Sequence, residues 1–491
     1  PCSHMSWRPS STFDSPSIIR ITNNGHQDQL LFSTIREDIH SCTYYSTLPR
    51  QAQSRSNSKC LSHIITMSDI TYQRGFGNHF ISEAKPDTIP KFGHSPQKVN
   101  HGLYAEQLTG TAFTAPRAKN QRSWLYRIRP SVQHAPFEYI GNFEDAILGS
   151  FHSHSPGIVP TPQQLRWDPL AESIRSFDDV DFIYGLRTLA GAGDTQLKDG
   201  LAIHTYTAST AMSDSNASFY NSDGDFLIVP QRKILKIITE FGILEVPPFF
   251  IAVIQRGIKF TVDFGEEVTA QDPAFGYVCE IFKGHFELPD LGPIGANGLA
   301  NPEDFETPTA SYRDTDNENW GVHNKFMGRM YLYDQDHSPY DVVGFSGNYV
   351  PYRYDLRKFN TMGSISYDHP DPSIFTVLTC PSDTPGTAVC DFVIFPPRWL
   401  VAEGTFRPPY FHRNCASEFM GNIAGVYDGK TGGFVPGGAS LHNMNSAHGP
   451  DADTFDKAST ADLKPVKVGE GSMSFMFESA YQLATTKYAV E

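Results

Sequence analysis

From about residue 70 onward, apolar and polar residues alternate in short runs cut by Gly and Pro every ten residues or so. Ile258 to Phe264 is the clearest run. Ile258, Phe260, Val262 and Phe264 fall on one side and Lys259, Thr261 and Asp263 on the other, a period of two that predicts a strand with one buried and one wet face. Phe226 to Val229, Ile234 to Ile238, Phe392 to Phe395 and Met473 to Phe477 are similar runs. Sustained 3.6-residue periodicity is scarce, so the chain is predicted to be mainly β and mostly antiparallel, a sandwich or barrel rather than a series of βαβ units. Asn221-Ser222-Asp223-Gly224-Asp225 predicts a hairpin turn before the strand Phe226 to Val229. Between about Asp290 and Asp341 the pattern gives way to Gly, Pro and polar residues. That stretch predicts a loop-rich linker ending an N-terminal β domain (67–340) before a C-terminal β domain (341–491).

Residues 1–66 differ in kind, with 13 serines and no apolar periodicity, and are expected to be a disordered extension. The abrupt change just before Met67-Ser68-Asp69 makes Met67 the expected initiator. Over the whole chain, 39 Lys and Arg oppose 54 Asp and Glu for a net charge of −15, which argues against nucleic acid as a partner. No apolar run approaches the roughly 18 residues of a spanning helix. The seven cysteines are odd in number and form no C-x-x-C pair, which points to a reducing, cytoplasmic setting.

Counting also removes several catalytic signatures. Gly429-Lys430-Thr431 lacks the glycine that a phosphate loop needs at Ala424, and Gly344-Phe345-Ser346-Gly347 has Asn348 where a nucleophile elbow needs glycine. Gly75-Phe76-Gly77 has no third glycine at the dinucleotide-binding spacing.

The chemistry concentrates between 405 and 450. His412 and Glu418 are six apart, so on an extended strand both leave the same face. His442 and His448 repeat that separation beyond the Gly-rich turn Gly432 to Gly438, which can return a second segment beside the first. Two imidazoles and one carboxylate on neighbouring β segments suit a divalent iron site with open positions, and equally a zinc site holding a water. The Gly- and Pro-rich second half leans toward a cupin-type barrel with the metal inside. His285-Phe286-Glu287 is a competing pair without a third ligand nearby.

From about Tyr72 to Val490 the chain resembles the homogentisate 1,2-dioxygenase family. The strings that carry the likeness include Gly102 to Leu108, Arg122 to Tyr126, Phe219 to Asp225, Phe286 to Gly298, Asp371 to Phe375, Phe395 to Trp399 and the whole of Phe406 to Gly421. The resemblance implies a cupin-like, jelly-roll type fold and a non-haem Fe(II) enzyme that opens the ring of homogentisate with O2. The product would be 4-maleylacetoacetate, in tyrosine and phenylalanine catabolism. It further implies His412, Glu418 and His448 as metal ligands, His369 as the catalytic acid/base, Tyr427 and His442 as substrate-binding residues, and a homo-oligomer, a hexamer built as a dimer of trimers.

Three positions depart from the family pattern. Phe345-Ser346 stands where Trp-His is usual, and Ala424 where an Arg often follows the carboxylate ligand by six residues. These leave open a paralogue acting on a related hydroquinone acid. The residue types by themselves also admit a metal-binding cupin-like protein without turnover, or a zinc hydrolase on the same ligands.

Overall fold

The computed structural model describes residues 70–491 apart from 142–145, 171–178, 428 and 430–433. The expectations for 1–66 and Met67 lie outside the described residues. Where the alternation is regular, the strands follow it. In Leu235–Thr239, Leu235, Ile237 and Thr239 point inward, and the register sets Ile237 beside Val262 of Phe260–Phe264. The strand Phe260–Phe264 departs from the expected wet face, because Thr261 is fully buried as well. Tyr340, just before the strand Val342–Gly347, covers its polar side, and the Thr261 hydroxyl is satisfied 2.6 Å from both the Tyr340 hydroxyl and the carbonyl of Ala217 in the same sheet.

The segment 221–225 is a corner rather than a hairpin. Ala217–Asn221 belongs to a seven-stranded sheet and Asp225–Arg232 to a ten-stranded one. Its acids are buried: Asp223 accepts from Lys325 Nζ at 2.8 Å, and Asp225 from Arg256 Nε at 2.7 Å. The stretch expected to be loop-rich contains the strands Phe305–Pro308, Asp316–Phe326 and Arg329–His337. The polar run at 314–319 feeds the second of these, whose outer face tolerates charge.

Among the described residues the fold is mainly β, with a ten-stranded, a seven-stranded, a six-stranded and a four-stranded sheet. A six-stranded antiparallel sheet frames the region of interest, in the spatial order Thr376–Pro381, Ala388–Phe395, Met473–Ser479, Ser417–Ala424, Ala439–His442, Leu165–Trp167. Phe392, Phe419, Phe475 and Phe477 pack its inner side, each burial contributing about 1.5–3 kcal/mol. The halves of the chain exchange strands. Leu165–Trp167 edges this sheet, while Ala484–Thr486 pairs with Leu186–Asp194 in the ten-stranded sheet. Among the described residues no helix is long and apolar enough to cross a membrane.

Gly421 lies opposite Phe475 in this sheet, and a Cβ there would sit 2.3 Å from the ring. Gly421→Ala is therefore expected to lower stability by about 1–3 kcal/mol through overpacking. Thermal denaturation checks this, and an unchanged midpoint would mean that the ring moves aside without cost.

Candidate metal centre

The strand Ser417–Ala424 starts just before Glu418, whose Cα partners are His442 on one side and Glu478 on the other. His412 is not on that strand. An irregular stretch, 413–416, intervenes, and His412 instead makes an isolated two-bond bridge with His448, with N to O distances of 2.9 and 3.1 Å. Strand alternation from 412 to 418 is thus not what joins the side chains. The chain turns back through Asn443 to Ala447 and sets the two histidines opposite one another, their rings 4.2 Å apart.

The donor atoms of His412, Glu418 and His448 lie within 4.8 Å of one another. Glu418 Oε1 is 3.5 Å from His412 Nε2, and Oε2 is 3.1 Å from His448 Nε2. The Nδ1 atoms face carbonyls at 2.8 Å, His412 that of Tyr410 and His448 that of Ser446. A carbonyl only accepts, so each Nδ1 carries the proton and each Nε2 turns its lone pair toward the carboxylate. Lone pairs so opposed need a cation between them, either a proton or a metal ion, and ring tautomers fixed by backbone carbonyls are how metal-binding imidazoles are held. Asn414 Nδ2 donates to Glu418 Oε1 at 2.7 Å. Burial pushes the Glu418 carboxyl up, but the two imidazoles and Asn414 outweigh it and hold the carboxyl well below the usual range.

A cavity of about 420 Å³ opens on this triad, a size suited to a small organic molecule. His369, Tyr427 and His442 line it together with the three ligand candidates, so all six residues singled out from the sequence meet there. His442 stacks flat on His448 at 4.4 Å, and Tyr427 is buried edge-on against Phe395 at 5.4 Å. His369 precedes the short turn Pro372–Phe375; its Nδ1 donates to the Pro370 carbonyl at 2.7 Å, which leaves the basic lone pair on the buried Nε2.

Sequence reasoning gave no role to Asn414, Arg413 or Glu478, all on the cavity wall. Glu478 had a signal: it is the one charged residue in the buried strand Met473–Ser479. Burial and the neighbouring Glu418 and Asp391 carboxylates push its pKa up to about 7. The competing pair is engaged elsewhere. His285 Nδ1 is 2.6 Å from Asp225 and Nε2 2.7 Å from the Gly110 carbonyl, while Glu287 pairs with Lys119.

A family model for the N-terminal part of homogentisate 1,2-dioxygenase matches residues 71–356, and one for the C-terminal part matches 357–491. The homogentisate 1,2-dioxygenase of Caenorhabditis elegans is 54% identical over 424 residues, covering 86% of this chain and 94% of that protein. That of Drosophila melanogaster is 52% identical over 427 residues, covering 87% and 94%. The chain belongs to the homogentisate 1,2-dioxygenase family.

Within that family, the departures of this chain fall away from the cavity. Phe345 is buried in the strand Val342–Gly347 against Phe241, with ring centroids 5.0 Å apart, and neither it, Ser346 nor Ala424 lines the cavity. They bear on packing rather than on substrate contact.

The donor set fits a divalent metal cofactor, and its affinity is expected to depend on pH. Contact with the Glu418 carboxylate raises the His412 pKa above the ordinary imidazole value, with burial opposing and the Tyr410 carbonyl assisting. Below that raised value a metal must displace a proton, so affinity for cobalt(II), used as a probe, should climb about tenfold per pH unit and then level off. A flat titration from about pH 6 to about pH 8 would contradict proton competition at this imidazole.

Proposed function

We propose that this chain opens the aromatic ring of homogentisate with O2 to give 4-maleylacetoacetate, a step of tyrosine and phenylalanine catabolism, using Fe(II) held by His412, Glu418 and His448. The observation that carries the reading is the convergence of two Nε2 lone pairs and one buried carboxylate on a cavity of substrate size, in a chain of this family. When bound, ferrous iron supplies open positions for both reactants and the redox chemistry of oxygen activation.

The protein's own groups bind, orient and move protons. Homogentisate must lose a phenolic proton, and the His369 Nε2 lone pair is a base suited to neutral pH. The Nδ1 bond to Pro370 holds that ring in the right tautomer while it takes the proton and later returns it. The Tyr427 hydroxyl donates to the substrate, and its edge-on contacts with Phe395 and Phe434 fix the ring that carries it. His442, flat against His448, forms a wall of the slot beside Glu418. The sequence parts 67–340 and 341–491 then have separate tasks, the second carrying all six of these residues. The same reading makes the protein a cytoplasmic hexamer, a dimer of trimers.

Turnover under ¹⁸O2 tests the reading. Both labelled atoms should appear in the ring-opened product. Unlabelled oxygen entering from water instead, with O2 unconsumed, would indicate a hydrolase on the same ligands.

A further inference from the structure

We propose that Arg413 binds the carboxylate of the substrate and thereby selects aromatic acids over neutral hydroquinones. The inference rests on the proposed function. Homogentisate is an anion entering a chain of net charge −15, and the cavity wall already holds the carboxylates of Asp371, Glu418 and Glu478. A bound metal would offset Glu418, but the remaining carboxylates repel an incoming anion unless a second cation answers it.

Among the described residues that line the cavity, Arg413 is the single Lys or Arg. Its side chain is exposed and makes no hydrogen bond or ion pair with the described residues, although three carboxylates share the wall. Other arginines of the chain that lie near acids are committed: Arg127 to Glu106, Glu240 and Asp341, Arg256 to Asp225, Arg353 to Glu306. A guanidinium with all its donors available offers the two parallel N–H groups that match a carboxylate.

Its position suits the task. Arg413 follows His412 directly, so its Cα lies about 3.8 Å from that of a metal-ligand candidate. Its presence in the lining of the cavity that opens on the triad puts it within reach of a molecule bound there. Tyr427, a neutral donor on the same wall, adds a weaker bond to whichever oxygen it meets.

The test compares iron-loaded wild-type protein with Arg413→Gln and Arg413→Lys, without oxygen, by calorimetric titration with homogentisate and with its neutral amide, 2,5-dihydroxyphenylacetamide. Arg413→Gln should weaken the acid about 10- to 100-fold, the usual span for a hydrogen bond to a charged group, and leave the amide within about twofold. Arg413→Lys should recover part of the loss, and steady-state rates should show it mainly in KM. Equal weakening of acid and amide would make Arg413 a packing residue, and no weakening of either would make it a solvated bystander; both overturn the inference. Wild-type protein that binds neither ligand would overturn the proposed function itself, a result separable from the other two.

Discussion

Glu418→Ala is expected to release the metal and reduce turnover to background. Glu418 is the one anion of the triad, and its two oxygens are what His412 and His448 turn their lone pairs toward. Loss of a partner that merely orients a ligand costs roughly 10- to 100-fold in metal affinity, and loss of the anionic ligand itself should exceed that. Metal analysis after desalting, with oxygen uptake on the same sample, reads both effects. Glu418→Gln should fail in the same way, because a carboxamide keeps the shape and hydrogen-bonding reach but loses the charge. Iron retained at one per chain by either variant, with turnover intact, would refute the assignment.

The second large effect belongs to His369. His369→Asn should keep iron and still bind homogentisate, yet slow turnover by about 10² to 10⁴ fold, the usual contribution of a positioned acid/base group. The side chain lies on the cavity wall but outside the Nε2–carboxylate cluster, so its loss leaves the triad standing. An unchanged rate would demote His369 to a turn residue beside Pro370 and Pro372. Loss of iron would place it in the metal shell instead.

How far the sequence could be read depended on the range of the forces involved. Strands such as Leu235–Thr239 are legible because alternation within five residues records a core on one side. Thr261 misled because a polar residue that finds its partners inside the fold, at Ala217 of the same sheet and at Tyr340, looks the same in sequence as one facing water. Asp223 and Asp225 misled similarly: a run of turn formers signals a reversal, but not that it joins two sheets and buries its acids against Lys325 and Arg256. At the site, residue types and rough spacing pointed to the 405–450 region, and family strings alone chose between His442 and His448. The structure shows why spacing was silent. Both histidines return beside the first segment, His442 through strand pairing with Glu418 and His448 through the bridge to His412. The orientation of the Nδ1 atoms toward the Tyr410 and Ser446 carbonyls depends on local backbone turns that no residue pattern announces. Arg413 is invisible in the sequence because its interest lies in the contacts it lacks, which only three dimensions reveal.

Oxygen uptake by protein reconstituted anaerobically with ferrous iron tests the central claim most directly, with homogentisate compared against gentisate and a neutral hydroquinone. One O2 consumed per homogentisate ring opened, lost on chelation and far weaker with the other two, is the expected result. Iron-loaded protein that consumes no oxygen with homogentisate would contradict it.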